Sequence, residues 1–416
     1  MNTFSSSGLP KSARSGRLAA VAEAVRSGQA GWGARARTAA PAGRTPPTID
    51  GITGAIDLES RATPQPATGP DWLQFVPKEV RGLVASHLPA GLPDYLGEAA
   101  SGFSLPASAF AHRGPLPAEA DLPVGAQFLS RTFSNEAGSR PYKLYVPSGY
   151  TGQPVALVVM LHGCTQSPDD FAAGTGMNEA AEEQVFLVAY PGQTASANPQ
   201  RCWKWFSAED QQRGKGEPSL IAGITRQVMQ EYAVDPQRVY VAGLSAGGAA
   251  AAIMGTAYPD LYAAIGVHSG LACGAASDLP SALAAMKRGR GGPAHRASGA
   301  NGHRPVPAIV FHGDRDTTVS PRNGDEVVAQ SVGEKSRAQV QTGQTSGGHA
   351  YSRTVHLDEA GQPGTELWVI HGAGHAWSGG SAAGSYTDPH GPDATREMLR
   401  FFWEHPHPAP ATGDPG

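Results

Sequence analysis

The pattern of apolar and polar positions changes character near residue 125. Before that point large apolar residues are sparse. Thr38 to Pro70 is rich in Ala, Pro, Gly and Thr, the composition of a linker that cannot bury a core. Two pieces of this stretch carry helical spacing. Leu18, Val21, Ala22 and Val25 recur at i, i+3, i+4, i+7 ahead of Gly28, and a Val80/Leu83/Val84 stripe follows Pro77, which suits a first helical position. Trp72, Leu73, Phe75 and Val76 precede the second piece. It reads as a short helix packed on the main domain or as an apolar anchor for a surface, a partner or a polymer granule.

From Gln127 onward the chain alternates. Phe128–Phe133 and Tyr142–Pro147 have period-two apolar residues around Asn135–Gly138, which predicts an antiparallel hairpin. Short, nearly continuous apolar runs follow at Val155–Leu161, Val185–Tyr190, Val239–Ala242, Ile265–Val267, Pro307–Gly313 and Glu366–Ile370. Runs of this kind are strands buried on both faces. Between and after them, helices are predicted near Asp169–Glu183, Ser219–Tyr232, Ala246–Met254 and Asp393–Trp403. The alternation predicts the α/β class, a mostly parallel sheet with helices on both faces. The organisation expected is a largely disordered extension over 1–125 with short helices, one α/β domain over 126–405, and a disordered tail over 406–416. Gly289–Pro305, rich in Gly, Arg and His, is expected to be a mobile loop.

Candidate chemistry sits where these strands end. Val239–Ala242 leads into Gly243-Leu-Ser-Ala-Gly247, and an alanine-rich segment follows. Strand, sharp turn and helix with a serine at the apex form a nucleophile elbow, and the flanking glycines let strand and helix pass closely. A serine hydroxyl is a weak nucleophile and needs a base, an acid to orient that base, and donors for an oxyanion. The strand Pro307–Gly313 is followed by Asp314 and Asp316. The orienting acid usually sits a few residues past the strand, which favours Asp316, with Asp314 as the alternative. Glu366–Ile370 is followed by His371 and then by His375 in a glycine-rich loop. His375 suits a base, and His371, nearer the strand, is expected to be buried. His312 and His268 at strand ends read as structural. Upstream, Val155–Leu161 ends in His162-Gly-Cys164. The N–H groups of Cys164 and Ala246 are the expected oxyanion donors.

Composition narrows the classes. The chain has 416 residues and a formal net charge of −4. That gives no footprint for nucleic acid or an anionic membrane surface. No window approaches 18 unbroken apolar residues, so no transmembrane segment is expected. There is no Cys-x-x-Cys pair and no His-Glu-x-x-His, so neither a metal nor another cofactor is expected. The N-terminus lacks a basic region followed by an apolar one, which predicts a cytoplasmic protein, or a secreted one if the true start differs. The three cysteines are too few for a disulfide framework. Cys164 and Cys202 could meet near the site, leaving Cys273 as a small apolar filler.

Taken together, Leu161-His-Gly-Cys-Thr-Gln166, Cys202-Trp-Lys-Trp-Phe206, Arg213-Gly-Lys-Gly-Glu-Pro218, Gly243-Leu-Ser-Ala-Gly-Gly248, His312-Gly-Asp-Arg-Asp316 and Gly374-His-Ala-Trp-Ser-Gly-Gly380 resemble one family. It is the polyhydroxybutyrate depolymerase-like esterases of the α/β-hydrolase superfamily, related to feruloyl and acetylxylan esterases. The resemblance spans residues 125–405. It implies an α/β-hydrolase fold, Ser245 as nucleophile, Asp316 as acid, His375 as base and Cys164 N–H as an oxyanion donor. It also implies a Cys164–Cys202 bridge, as in secreted relatives, which a reducing cytosol would oppose. Trp203, Trp205 and Trp377 are candidates to line an apolar groove for an aliphatic polyester, with ordinary core packing or cover for the bridge as the alternative. The substrate implied is poly(3-hydroxybutyrate) or its oligomers, with a storage-granule surface as partner. A small-ester or carbohydrate-linked acyl substrate is the alternative, and a granule-binding protein with little catalysis is the alternative of another class.

Overall fold

The computed structural model describes residues 122–289, 305–332, 336–346 and 348–408. The two helical pieces expected near the N-terminus, the linker, most of the Gly289–Pro305 loop and the end of the tail lie outside these residues.

Ten strands form one sheet: β1 (Gln127–Asn135), β2 (Gly138–Val146), β3 (Val155–Leu161), β4 (Leu187–Pro191), β5 (Val234–Leu244), β6 (Ala264–His268), β7 (Ala308–Gly313), β8 (Arg337–Gln344), β9 (Ala350–Leu357) and β10 (Pro363–Ile370). Their order across the sheet is β1-β2-β4-β3-β5-β6-β7-β10-β9-β8. The middle, from β4 to β10, is parallel throughout. The expected hairpin β1–β2 joins β4 antiparallel at one side, and an unpredicted hairpin β8–β9 joins β10 antiparallel at the other.

Two apolar layers sandwich the sheet, and the pleat sorts residues between them. Leu157, Val159 and Leu161 face one layer with Val239 and Val241. Ala156, Val158 and Met160 face the other with Tyr240 and Ala242. Hence every position of β3 is buried, and its sequence shows a continuous run rather than alternation. The first layer is closed by α3 (Gly216–Glu231), α4 (Ala246–Ala257), α5 (Leu279–Arg288) and α6 (Arg322–Ser331). The second is closed by α1 (Pro168–Thr175), α2 (Met177–Gln184) and α7 (Ala394–Glu404).

The single helix expected over Asp169–Glu183 is two. Gly176 has φ 64°, ending α1 in a left-handed cap and starting α2; that conformation suits glycine. Ser167 caps the start of α1 by accepting the Asp170 N–H at 3.2 Å. No helix among the described residues is long and apolar enough to cross a membrane.

Candidate active site

Ser245 sits between β5 and α4 with φ 58° and ψ −119°. A positive φ is costly for serine and persists only where its surroundings enforce it. They do so through the Ser245 N–H, which donates to the His268 carbonyl oxygen at 2.8 Å, and the Ser245 carbonyl, which accepts the Ala249 N–H at 2.9 Å. A side chain at Gly247 would collide with the Leu161 and His162 carbonyl oxygens, and one at Gly243 with the Gly247 backbone. The serine is thus held at the carboxyl edge of the parallel strands, where such sheets place their sites. Ala246 opens α4, so its N–H has no intrahelical acceptor.

Asp316 and His375, the candidate acid and base, arrive on the same edge, after β7 and β10. His375 Nδ1 lies 2.6 Å from Asp316 Oδ2, and Asp316 Oδ1 accepts the N–H groups of Thr318 at 2.9 Å and Val319 at 2.8 Å. The buried His312 ring places Nε2 at 2.9 Å from the Val319 carbonyl and 3.4 Å from Asp316 Oδ2. Burial pushes the Asp316 carboxyl upward. Hydrogen bonds from His312, His375 and Val319 and the charge of His375 more than reverse this, so it lies well below the usual carboxylate range. An ionised Asp316 fixes the His375 proton on Nδ1 and leaves Nε2 as the basic atom. Neither Ser245 Oγ nor His375 Nε2 makes a hydrogen bond among the described residues. In ligand-free sites this contact is commonly loose. The two loops are instead joined through His268, which binds the Ser245 N–H and, through Nε2, the Ser378 N–H at 3.0 Å.

Asp314, the alternative acid, clamps the start of the base loop. It accepts the Gly372 N–H at 2.7 Å and pairs with His371 Nδ1 at 3.0 Å. His371 corrects an expectation: its side chain is 43% exposed, with Nε2 accepting from Ser352 Oγ at 2.9 Å. The backbone turns outward at Gly372, φ 87°, so closeness to the strand does not bury it.

The His162-Gly-Cys164 turn follows β3 and lies against Ser245; a side chain on Gly163 would sit 3.6 Å from Ser245 Cβ. Its polar groups are nearly all spoken for. His162 Nδ1 donates to the Gly163 carbonyl at 2.7 Å, and Nε2 accepts the Gln193 N–H at 3.0 Å. Complete burial holds this ring neutral, with its pKa lowered to about 4. Gly163 N–H goes to Gln166 Oε1 at 2.9 Å, and Thr165 N–H to the Gln200 carbonyl at 2.6 Å. Cys164 is bridged to Cys202. Its N–H has no acceptor among the described residues, nor has that of Ala246.

The three tryptophans depart from the expected groove. Trp203 and Trp377 are fully buried and Trp205 nearly so. Trp203 lies under the turn and donates Nε1–H to the His162 carbonyl at 3.0 Å. Trp377 donates to Thr395 Oγ1 at 3.1 Å and stacks on His268. Trp205 packs edge-on against Phe206. Buried indoles need a partner for their N–H, and Trp203 and Trp377 find it in the scaffold, so these rings support the site rather than line it.

Sequence reasoning missed the polar anchors. Gln166 Nε2 reaches Asp170 and the Ser385 carbonyl, both at 3.0 Å. Glu217 is buried, accepts the Lys204 N–H at 2.7 Å, and binds Gln193 Nε2 and, at 3.3 Å, Arg140. Burial raises its pKa despite these partners. It holds the 193–204 loop, which carries Cys202 and Trp203, against α3. Its only signal in the sequence is its place in the Arg213–Pro218 motif.

Residues 140–350 match the sequence family described as esterase PHB depolymerase. The chain belongs to this family. It is 33% identical over 256 residues to poly(3-hydroxyalkanoate) depolymerase C of Paucimonas lemoignei, covering 58% of this chain and 60% of that protein. It is 29% identical over 239 residues to the poly(3-hydroxybutyrate) depolymerase of Ralstonia pickettii, covering 54% and 49%. It is also 32% identical over 229 residues to feruloyl esterase B of Neurospora crassa, covering 52% and 76%. The matches thus span about half to three-fifths of the two depolymerases. An acetyl xylan esterase structure from Aspergillus awamori superposes with a TM-score of 0.52 over 67% of this chain and 99% of that chain, at 22% identity. That likeness is one of fold, the α/β-hydrolase fold.

Proposed function

We propose that this family member is a serine carboxylic ester hydrolase working through an acyl-enzyme. One observation carries the reading: Ser245 is held on a strained elbow beside two amides that have no acceptor among the described residues, on the sheet edge that also holds the Asp316-bound His375. In the first half-reaction His375 Nε2 takes the Ser245 proton as Oγ attacks the ester carbonyl. Asp316, kept ionised, orients the ring and balances its new charge. The Cys164 and Ala246 N–H groups receive the oxyanion; one such donor is typically worth about 10²–10³ in rate. The proton then passes to the leaving alcohol, and water repeats the sequence to free the acid.

For the substrate, similarity to two depolymerases supports esters of 3-hydroxyalkanoate chains. A second reading, small or carbohydrate-linked acyl esters, is supported by the feruloyl esterase match and by the burial of the tryptophans that a polyester groove would have used. The Cys164–Cys202 bridge favours an oxidising compartment over the cytosolic granule setting, since reducing compartments keep thiols free. Counting free thiols in protein trapped from its native source separates these settings.

The test is release of 3-hydroxybutyrate from amorphous poly(3-hydroxybutyrate) by the purified protein, run beside methyl ferulate and a short nitrophenyl ester with Ser245→Ala as blank. Ser245-dependent hydroxyacid supports the polyester reading, and cleavage of the small esters alone supports the second. Hydrolysis that survives Ser245→Ala, or none of any ester, overturns the enzymatic account. Granule binding without hydrolysis would promote the binding role.

A further inference from the structure

A column of stacked rings runs beneath the site. Trp368 of β10 stacks on Phe311 of β7 at 5.4 Å between centroids, Phe311 on His268 of β6 at 5.7 Å, and His268 on Trp377 at 5.2 Å. His268 is the one imidazole in the column, and it is wholly buried. Its hydrogen bonds fix its form. Nε2 faces the Ser378 N–H at 3.0 Å, so it must carry a lone pair. The proton therefore sits on Nδ1, which points to Ser269 Oγ at 3.2 Å. The main-chain carbonyl of the same residue accepts the Ser245 N–H at 2.8 Å. One residue thus holds the nucleophile by its backbone and, by its ring, the loop three residues past the base.

We propose that His268 is a positioning residue that sets His375 relative to Ser245 through this neutral, Nδ1-protonated ring. The proposal rests on the reading of Ser245 and His375 as nucleophile and base. The chemistry requires that His268 stay uncharged. The titratable groups facing it are His312 on β7, Asp316 beyond that strand and His375 on the loop after β10. Burial, followed by the charges of His312 and His375, lowers its pKa to about 3 against the opposing pull of Asp316. A protonated His268 would set one N–H against the Ser378 N–H and break the tie. Its charge would also oppose the one that His375 takes up as Ser245 attacks.

Two substitutions separate this role from simple core packing. His268→Phe keeps a ring between Phe311 and Trp377 but removes the acceptor. His268→Gln places an amide oxygen near the Nε2 position, and its flat amide fits between the same rings. We expect kcat of His268→Phe to fall about 10–100-fold with KM within about two-fold, as for a displaced catalytic group. His268→Gln should stay within about three-fold of wild type. The low-field proton NMR signal of the His375–Asp316 hydrogen bond, assigned by its loss in His375→Gln, should persist in His268→Gln and vanish in His268→Phe. Melting temperatures of both variants control for folding. Full kcat with an intact low-field signal in His268→Phe overturns the proposal. So does a loss of kcat in both variants that merely tracks lost stability. If His268→Phe does not fold, His268→Gln decides alone: wild-type kcat and signal support the role, and a large fall in kcat at unchanged melting temperature overturns it. Should Ser245→Ala hydrolyse esters as well as wild type, the functional reading fails, and the low-field signal still tests the tie between His268 and His375.

Discussion

The proposed base side and the proposed oxyanion side of this site solve the same mechanical problem with different chemistry. On the base side, His375 is held by an ionised carboxylate that accepts hydrogen bonds from two rings and two amides. On the oxyanion side, the turn carrying Cys164 is held by a covalent bridge and by neutral hydrogen bonds from Trp203, Thr165 and Gly163. A base must gain and lose a proton, so its surroundings have to be polar and charged. An oxyanion donor has only to stay still, and a bridge does that without charge. The two sides should therefore fail under different conditions.

Removing Ser245, the proposed nucleophile that both sides serve, is expected to cost about 10⁵–10⁶ in kcat for Ser245→Ala, as loss of a triad serine does elsewhere. Asp316→Asn tests the base side alone. The amide leaves His375 free to take the wrong tautomer, and kcat should fall about 10⁴-fold with little change in KM. Steady-state kinetics on one activated ester check both.

Opening the bridge tests the oxyanion side. Replacing Cys164 and Cys202 together by Ala should lower kcat about 10–100-fold, less than outright loss of a donor. Reductant should do the same to wild type and have no effect on the double variant. Equal sensitivity of the two to reductant would break the contrast between the sides.

Acid should act on stability through both. His162 and His268 are neutral when folded, with pKa values lowered to about 4 and about 3 from 6.5. Below pH 6.5 the unfolded chain binds the extra protons, so the stability they contribute is whole above that pH and drains away as pH falls towards their folded values. The slope reaches up to about 2.7 kcal/mol per pH unit for two protons. Urea unfolding between pH 7 and 4 measures it, and a flat profile would contradict the neutral burial of these rings. The smallest effect is expected from Trp203→Phe, which removes one hydrogen bond to the turn. Its net worth is about 1 kcal/mol, so kcat should fall only a few-fold, all of it on the oxyanion side.

How much of this could be read from the sequence depended on whether the signal was local. The parallel strands were legible because burial on both faces makes them nearly continuous apolar runs, as in Val155–Leu161. Ser245, Asp316 and His375 were picked out because each follows such a run. The β8–β9 hairpin was missed because Arg337–Gln344 is solvent-exposed along nearly its whole length and carries no apolar stripe. The break at Gly176 was visible as a glycine, but only its left-handed backbone splits the helix. The tryptophans stayed open between groove and core because an indole near a catalytic loop looks the same in sequence whether it faces substrate or scaffold. Gln166, Gln193 and Glu217 meet partners far away in the chain, and their roles exist only after folding.

The bridge has one more consequence, in chain entropy. It joins residues separated by 38 positions, so β4 and both helices α1 and α2 lie within a single covalent ring. Closing a loop of that length removes disordered conformations worth about 4 kcal/mol in the loop-closure model. A reduced chain would start folding from a larger ensemble, and the segment between the oxyanion turn and its supporting loop would have to find its place unaided. The bond that steadies one amide in the finished protein thus also shortens the search that places β4 and the two helices before it.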